Sequence, residues 1–570
     1  MLDFLWNYPE RLVPFLLSIY KNFARLRPFS FILLFAIIFP LIAMQVLSIM
    51  NKSSVKERSN TLNIGFIGAL SSIDPYPVVP IIDPITLQDR IINRTIFDRL
   101  FDFDQSGTLI NNLADSYSPS TDYKTFTFNL KKGILWSDGI EFTSSDISKS
   151  FDLIRSQQNG LYYNGLNDIT LQVKDKYQVV FTLKNANSFF AETLVWPILP
   201  SHIFNSGDSY NDQMRKLTFS THPVTTSQWN IQTISNNAIN FVRNNKYSRP
   251  ESQFSYFNFK SYESKSAIDE AIKSRDIDLY FSNEQQSTID KVSEITPLTL
   301  TRQYYSLYFN FTDTGPAWAR DLNIRQALAF GVNKAVLLNN DYKESDGPLP
   351  SVSPFYNKDI ETYAFNKDKA GSLLDNGGYK LINGVRSKDN QPLKINITVQ
   401  ENTPRVAQAK SIQGYWQDLG IQVNLDVQSD TGVIGGELTH NRFVTNVILP
   451  HKFDVVLYGI ESPPGADRFS LWHGNNEKTT TDKFSNNIGG YRNSRIDLNL
   501  ENTRIESDPA KRATDFTRFQ KILTDDVAAI FLYSPNIYVI STPQVEDLKF
   551  NRVYSPEDLI VDLYDLIIDK

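Results

Sequence analysis

The sequence predicts an α/β protein of more than one domain, and three observations carry that expectation. Leu393 to Val427 reads strand, helix, strand: Ile395, Ile397 and Val399 alternate, Val406, Ala409, Ile412, Trp416 and Leu419 recur at helical spacing, and Ile421, Val423, Leu425 and Val427 alternate again. Two strands joined through a helix are normally parallel and right-handed. The order helix then strand returns at Ala267 to Phe281, where Ala267, Ile268, Ala271 and Ile272 form a stripe and Ile277, Leu279 and Phe281 alternate. Finally, 570 residues with 41% hydrophobic composition are enough for two or three domains with cores of their own.

In chain order, the first feature is Phe29 to Met50, which carries no charge and is long enough, at about 1.5 Å per residue, to cross a ~30 Å hydrocarbon core. Arg11, Lys21, Arg25 and Arg27 precede it, so residues 1–28 are expected in the cytoplasm, 29–50 as a transmembrane anchor and the remainder outside. Pro40 is tolerated in a membrane helix, and no small-x-small cleavage site follows, which favours an uncleaved anchor over a signal peptide. Leu12 to Phe23 either lies along the inner membrane surface or is simply a tail. Residues 51–60 form a polar tether.

The folded part opens with a strand in which Leu62, Ile64 and Phe66 alternate, and Gly65, Gly68 and Ala69 allow close backbone approach at its end. Ile92, Ile96, Leu100 and Phe101 fall at helical spacing, followed by a polar turn at Asp104 to Gly107. Phe126, Phe128 and Leu130 mark a half-buried strand, and Asp138-Gly139 a tight reversal after Trp136. Thr143 with Asp146 three residues on is a capping-box variant opening a helix through Ile147, Phe151 and Ile154. Ile169 to Val173 and Tyr177 to Leu183 suggest a hairpin, and Asn187 to Trp196 reads as helix-like. Further on, Tyr305, Leu307 and Phe309 alternate, and Asp321 to Leu337 carries a helical stripe. At Leu393 to Val427, Thr403 caps the helix, Pro404 takes its first position and Gly420 ends it.

Composition excludes several chemistries. Net charge is −6 with no basic run, which argues against nucleic-acid binding. The absence of Cys rules out disulfides, thiolate metal sites, Cys nucleophiles and a lipid-modified N-terminal Cys. The 5 His show no metal-ligand spacing, and neither a GxSxG elbow nor a Walker-type loop occurs. A binding role is therefore expected rather than catalysis, with no cofactor. Aromatic residues make up 13% of the chain, which suits either large aromatic cores or an aromatic-lined cleft.

Four segments in order carry a family resemblance: Leu113 to Tyr117 (LADSY), Phe126 to Leu130 (FTFNL), Trp136 to Gly139 (WSDG) and Ser144 to Ile147 (SSDI). They resemble the Leu-Ala-Glu-Ser-Trp, Tyr-Thr-Phe-x-Leu, Phe-His-Asp-Gly and Ala-Glu-Asp-Val segments of family 5 extracytoplasmic solute-binding proteins of ABC importers, the oligopeptide- and dipeptide-binding group. The likeness continues in Asp74-Pro75, in Ile198 to Ile203, in FVRNNKY (Phe241 to Tyr247) and in the Asp321 to Leu337 helix. It extends through NKDKAGSLLDNGGY (Asn366 to Tyr379) and the stretch from Gly489, so that it spans about Thr61 to Asp562. It implies a two-lobed periplasmic-binding-protein-like α/β fold (type II): residues 61–297 as a first lobe with an extra sub-domain near 90–200, 298–520 as a second lobe, and 521–570 returning to the first. It also implies a peptide or other small solute trapped by hinge closure, and ABC permease subunits as partners; a sensor or chaperone-like binding protein without a transporter is the alternative.

The candidate ligand-binding residues follow from the same resemblance. The end of the first strand, at Ala69, is similar to a cleft-facing segment of the family. PVTTSQW (Pro223 to Trp229) stands where the family has Gly-Thr-Gly-Pro-Tyr, with Trp229 at its end and both glycines missing. Asn310 ends the Tyr305 strand. In FDVVLYGIESPPGADRFSLW the strand ends near Gly459, and ligands in open α/β sheets bind outside the carboxyl ends of strands. Relatives pair an extended peptide with backbone here and hold its ammonium with an Asp; Ile460 replaces the usual Trp, and either Glu461 or Asp467 serves as the acid. Trp472 and His473 either wall the cleft or pack against it. His202 beside Pro200 is expected to be structural, and Arg325 a structural ion-pair former.

Overall fold

A computed structural model describes residues 60–68, 73–76, 87–156, 166, 168–204, 210, 221–249, 252–283, 293–338, 342–401, 403–429, 432–434, 437–439, 442–463, 465–474, 487–546, 548–551, 554 and 556–568. Backbone contacts divide the chain into Met1–Thr61 with Ile568–Lys570, and Leu62–Ile567, and the second unit holds both of the large sheets described next. The expected membrane span at residues 29–50 and the candidate Ala69 both lie outside the described residues. Among those described, no helix is long and apolar enough to cross a membrane.

Two sheets organise the fold. The first has seven strands, with Thr61–Ile67 between Leu279–Ser282 and Tyr256–Tyr262. It pairs in parallel with the former, Ile64 opposite Leu279. Leu62, Ile64 and Phe66 are buried, and a Cβ at Gly65 would run into Ile277 and Ile268, which is why a small residue stands there. The second sheet has six strands and contains the expected strand-helix-strand unit: Lys394–Gln400 and Gln422–Gln428 run parallel from Lys394↔Gln422 to Gln400↔Gln428, joined by the helix Thr403–Gln417. Trp416, fully buried on that helix, donates its Nε1–H to the Leu328 carbonyl at 3.0 Å, so its burial leaves no orphan donor. Each such buried large apolar side chain contributes roughly 1.5–3 kcal/mol.

A four-stranded sheet lies in the sub-domain region, with Thr125–Leu130 at its centre beside Ala114–Pro119 and Gln178–Leu183. Phe126, Phe128 and Leu130 face inward as the alternation required. The Asp138-Gly139 reversal is present, with Gly139 at φ +91°. The capping box forms as read: Asp146 Oδ2 accepts the Thr143 N–H at 2.7 Å, and the Thr143 hydroxyl accepts from the Ser145 N–H at 3.3 Å.

Three expectations change. The first helix is Leu87–Ile96 and does not reach Phe101. Phe101–Phe103 instead pairs with Leu109–Asn111 in a hairpin, closed by the Asp104 carboxylate accepting from the Ser106 and Thr108 N–H groups. The Asp321 to Leu337 stripe breaks into Leu322–Phe330 and Lys334–Leu338, with Asp321 capping the first. Asn187 to Trp196 holds only a short 3₁₀ turn, Phe190–Thr193.

The two sheets are joined by chain crossings that lie side by side. Glu294–Thr299 belongs to the first sheet and Gln303–Phe309 to the second; Ala529–Ser534 belongs to the second and Asn536–Ser541 to the first. The Leu300 N–H donates to the Pro535 carbonyl at 2.9 Å, and the Thr299 hydroxyl to Asn536 Oδ1 at 2.9 Å. The two connections between the sheets are therefore adjacent and tied to each other by hydrogen bonds.

Candidate functional site

The crossings lead into the strand that carries the candidates Gly459, Ile460 and Glu461. The strand Val455–Glu461 runs antiparallel to Gln303–Phe309, with Gln303 opposite Glu461 and Tyr305 opposite Gly459. Glu461 is thus the last residue of a strand, two positions beyond the sequence-based end at Gly459. At the same sheet margin stand Tyr533, stacked on Tyr305 with ring centroids 5.0 Å apart, and Arg405, 5.7 Å from the Tyr305 ring centroid with Nη1 donating to its hydroxyl at 3.3 Å. The Tyr533 hydroxyl donates to Gln408 Oε1 at 2.6 Å. This tyrosine–arginine group escaped sequence reading. The one available signal was Arg405 in the first turn of a helix that follows the carboxyl end of a strand.

Glu461 is held by cations of the protein itself. Arg90, on the Leu87–Ile96 helix, donates Nη1 to Oε2 at 2.8 Å and Nη2 to Oε1 at 3.0 Å, and Arg302, in the first crossing, also pairs with Oε1. Burial alone would raise the Glu461 carboxyl, but the two guanidiniums outweigh it and bring it down to about 2. Arg90 also pairs with Glu557, whose carboxyl burial would raise but which Arg90 and Arg99 hold below its ordinary range. Beside it Arg94 meets Asp558 at 2.7 Å and Asp102 at 2.9 Å, and Arg99 meets Asp558 at 3.3 Å. Arg249 and the Thr226 hydroxyl engage Asp98. The result is a compensated, largely buried junction of arginines and acids drawn from distant parts of the chain.

Asp467 is also engaged. It meets Arg504 Nη2 at 2.6 Å and accepts the Phe469 N–H at 3.0 Å. Trp472 is buried in a core cluster with Tyr308 and Phe531. Its neighbour His473 meets Glu501 at 3.1 Å. Asn310 is buried as well, its amide donating to the carbonyls of His451 at 2.8 Å and Phe453 at 3.0 Å. Trp229 packs on Phe257 and Tyr564 at 5.5 and 5.7 Å. The segment before it replaces the absent glycines with hydroxyl anchors: Ser227 Oγ donates to the Thr95 carbonyl at 2.6 Å and Asn244 holds the Ser227 carbonyl at 2.8 Å. Gly459 and Ile460 are half-buried, and a Cβ at Gly459 would strike the Tyr305 ring. The structure therefore brings Gly459, Ile460 and Glu461 to one sheet margin, pairs Asp467 with Arg504 in the segment beyond it, and leaves Trp229, Asn310 and Trp472 inside packed cores. His202 meets Asp138 at 2.6 Å. Arg325 is structural but pairs with carbonyls rather than a carboxylate, donating to Asp526 O at 2.7 Å and Ala319 O at 2.7 Å.

A second contact across the same region was also missed by sequence. Residues 188–192 form a finger against the helices Ser494–Ile505 and Pro509–Asp525: the Ser188 N–H donates to the Arg504 carbonyl at 2.8 Å, and Phe189 lies 5.9 Å from the Phe516 ring within the second sheet's core. Glu192 Oε2 accepts the Ala466 N–H at 3.1 Å.

The profile of bacterial extracellular solute-binding proteins, family 5 (middle region), matches residues 108–481. The chain belongs to that family. A putative ABC transporter peptide-binding protein of Brucella ovis is similar to this family 5 protein, 24% identical over 473 residues that cover 81% of this chain and 85% of the relative. Among solved structures, NikZ of Campylobacter jejuni in complex with Ni(L-His) matches with TM-score 0.69 at 20% identity, covering 89% of this chain and 99% of that one. The oligopeptide-binding protein AppA of Bacillus subtilis in complex with a nonapeptide matches with TM-score 0.66 at 18% identity, covering 90% and 99%. At that level of identity the likeness is one of fold, and the fold of this family 5 protein is the two-lobed periplasmic-binding-protein-like α/β architecture.

Proposed function

We propose that this family 5 protein captures a short peptide between its two lobes by hinge closure outside the cytoplasm and hands it to the permease of an ABC importer. The observation that carries the closure is the pair of adjacent crossings at Leu300 and Pro535, which lets two intact sheets rotate about one line. The peptide reading is supported by the relatives described as peptide-binding and by an open margin of strand ends with backbone at Gly459 and Ile460. In this reading Glu461 contacts the ligand only after giving up Arg90 or Arg302, and Asp467 only after giving up Arg504. Attachment through residues 29–50 is part of the proposal and rests on their charge-free composition and the preceding basic residues.

A non-peptide solute such as a metal complex is the second reading. It is favoured by the engagement of both candidate acids with internal arginines, which leaves a ligand ammonium in competition with a bidentate guanidinium. Native mass spectrometry of the full chain, released gently from its host membrane, separates the two. A ladder of added masses fitting short peptides is expected; an empty cleft that also ignores a peptide library overturns the peptide reading and moves weight to the second.

A further inference from the structure

The finger at residues 188–192 ends in a carboxylic acid for which, among the described residues, the other side of the contact offers one backbone donor and no cation at bonding distance. Glu192 is half-buried, and its Oε2 accepts the Ala466 N–H at 3.1 Å. The notch it enters exists because residue 465 is glycine: the backbone there has φ +76°, and a built Cβ would run into the Glu192 carboxyl. The Gly465 carbonyl on the same turn accepts from Arg468 Nη1 at 2.9 Å and from the Tyr554 hydroxyl at 2.8 Å, so the notch is rigidly braced.

Among the described residues, the titratable groups around this acid do not supply a counter-ion at bonding distance. Asp467 adds a like charge and is already committed to Arg504. Arg468 gives Nε and Nη1 to the carbonyls of Pro348, Gly465 and Asp467, while its Nη2 is buried without a hydrogen-bond partner and draws the Glu192 carboxyl down only through space. Arg512 gives Nε and Nη2 to the Glu506 carbonyl and the Tyr123 hydroxyl and acts on Glu192 only through space. Tyr117 and Tyr554 are phenols that stay neutral below their ordinary range, and burial raises both further. We propose that Glu192 is a proton-gated latch: as a neutral acid it seats in the Gly465–Ala466 notch and holds the finger against the second lobe, and its ionisation loosens that hold. The proposal rests on the hinge-closure reading and adds regulation to it.

The direction of the effect follows from linkage. Burial, helped by the Asp467 charge and opposed in part by the Ala466 hydrogen bond and by Arg468 and Arg512, pushes the Glu192 carboxyl up from 4.5 to about 8 in the latched form. Released to solvent, the acid returns to its ordinary value. Closing therefore takes up a proton between pH 4.5 and 8: the latched form is favoured at the acid end and weakens as pH rises through that window, by at most about tenfold in the closed-to-open ratio per pH unit.

The chain has no Cys, so a labelled pair at exposed Lys174→Cys and Lys358→Cys reports one distance cleanly. Double electron–electron resonance on the full chain in detergent, from pH 5 to 9 without added solute, should show the short-distance population falling as pH rises. Glu192→Gln, which keeps an acceptor for Ala466 but cannot ionise, should flatten that profile. Gly465→Ala should shift the population to the long distance at every pH. A Glu192→Gln profile that matches the wild type, or a wild type that stays closed throughout, overturns the latch; if Gly465→Ala also stays closed, the hinge reading falls with it.

Discussion

Two acids sit on either side of one short stretch of chain, and the protein treats them in opposite ways. Glu461 enters the arginine junction, where Arg90 and Arg302 bring its carboxyl down to about 2. Glu192 enters the Gly465–Ala466 notch, where burial lifts it to about 8. Desolvation acts on both, so the difference comes from what meets the carboxylate: two guanidiniums in one case, a single backbone N–H in the other. A carboxylate met by two guanidiniums makes a fixed joint, whereas an acid met by a neutral partner makes a joint that responds to its surroundings.

The sharpest way to break this contrast is to remove a cation from the junction. Arg94, buried between Asp102 and Asp558, is expected to cost about 3–5 kcal/mol when changed to Met, read as a lower urea midpoint, since it leaves buried carboxylates uncompensated. An unchanged midpoint would mean the acids there are neutral. On the finger side the stabilisation is apolar, and Phe189→Ala should cost about 3 kcal/mol in the same assay; a loss well below 1 would show that the finger does not stay docked in solution.

Next in size is Glu461→Gln, expected to cost about 1–3 kcal/mol at pH 7. Its carboxyl is depressed, so its contribution is fully present above 4.5 and is lost as pH falls toward 2. The variant should therefore converge on the wild type in acid unfolding series, and a gap that persists at pH 2 would refute the assignment. The smallest expected effect is Asp508→Ala, about 1 kcal/mol, because Asp508 caps the helix that receives Phe189 by accepting from the Ala510 N–H at 2.8 Å.

Much of the fold was legible because it is local. The parallel unit around Thr403–Gln417, the alternation at Phe126, Phe128 and Leu130 and the Thr143–Asp146 box all depend on residues a few positions apart. What escaped was set by distant partners. Phe101 sits at helical spacing from Ile96 but pairs with Asn111 instead, because the Asp104 turn fixes a hairpin. Gly459 to Asp467 was recognisable as a strand-end segment, yet nothing in it announces that Arg90, several hundred positions earlier, takes hold of Glu461. Glu192 gave no signal either, since its environment is a glycine notch contributed by the other side of the cleft.

The route of the backbone also bears on when the protein becomes folded. The strand Asn536–Ser541 lies inside the first sheet, between Leu279–Ser282 and Glu294–Thr299, and Glu557 and Asp558 supply acids to Arg90, Arg94 and Arg99, all of which are made much earlier. Until residues 536–558 emerge, the early part of the chain holds a sheet with a missing strand and an arginine cluster that lacks two of its acids, Glu557 and Asp558. A nascent chain arrested before residue 536 is accordingly expected to remain protease-sensitive, so that maturation is a single late event, timed by synthesis of the segment that closes both the sheet and the charge balance.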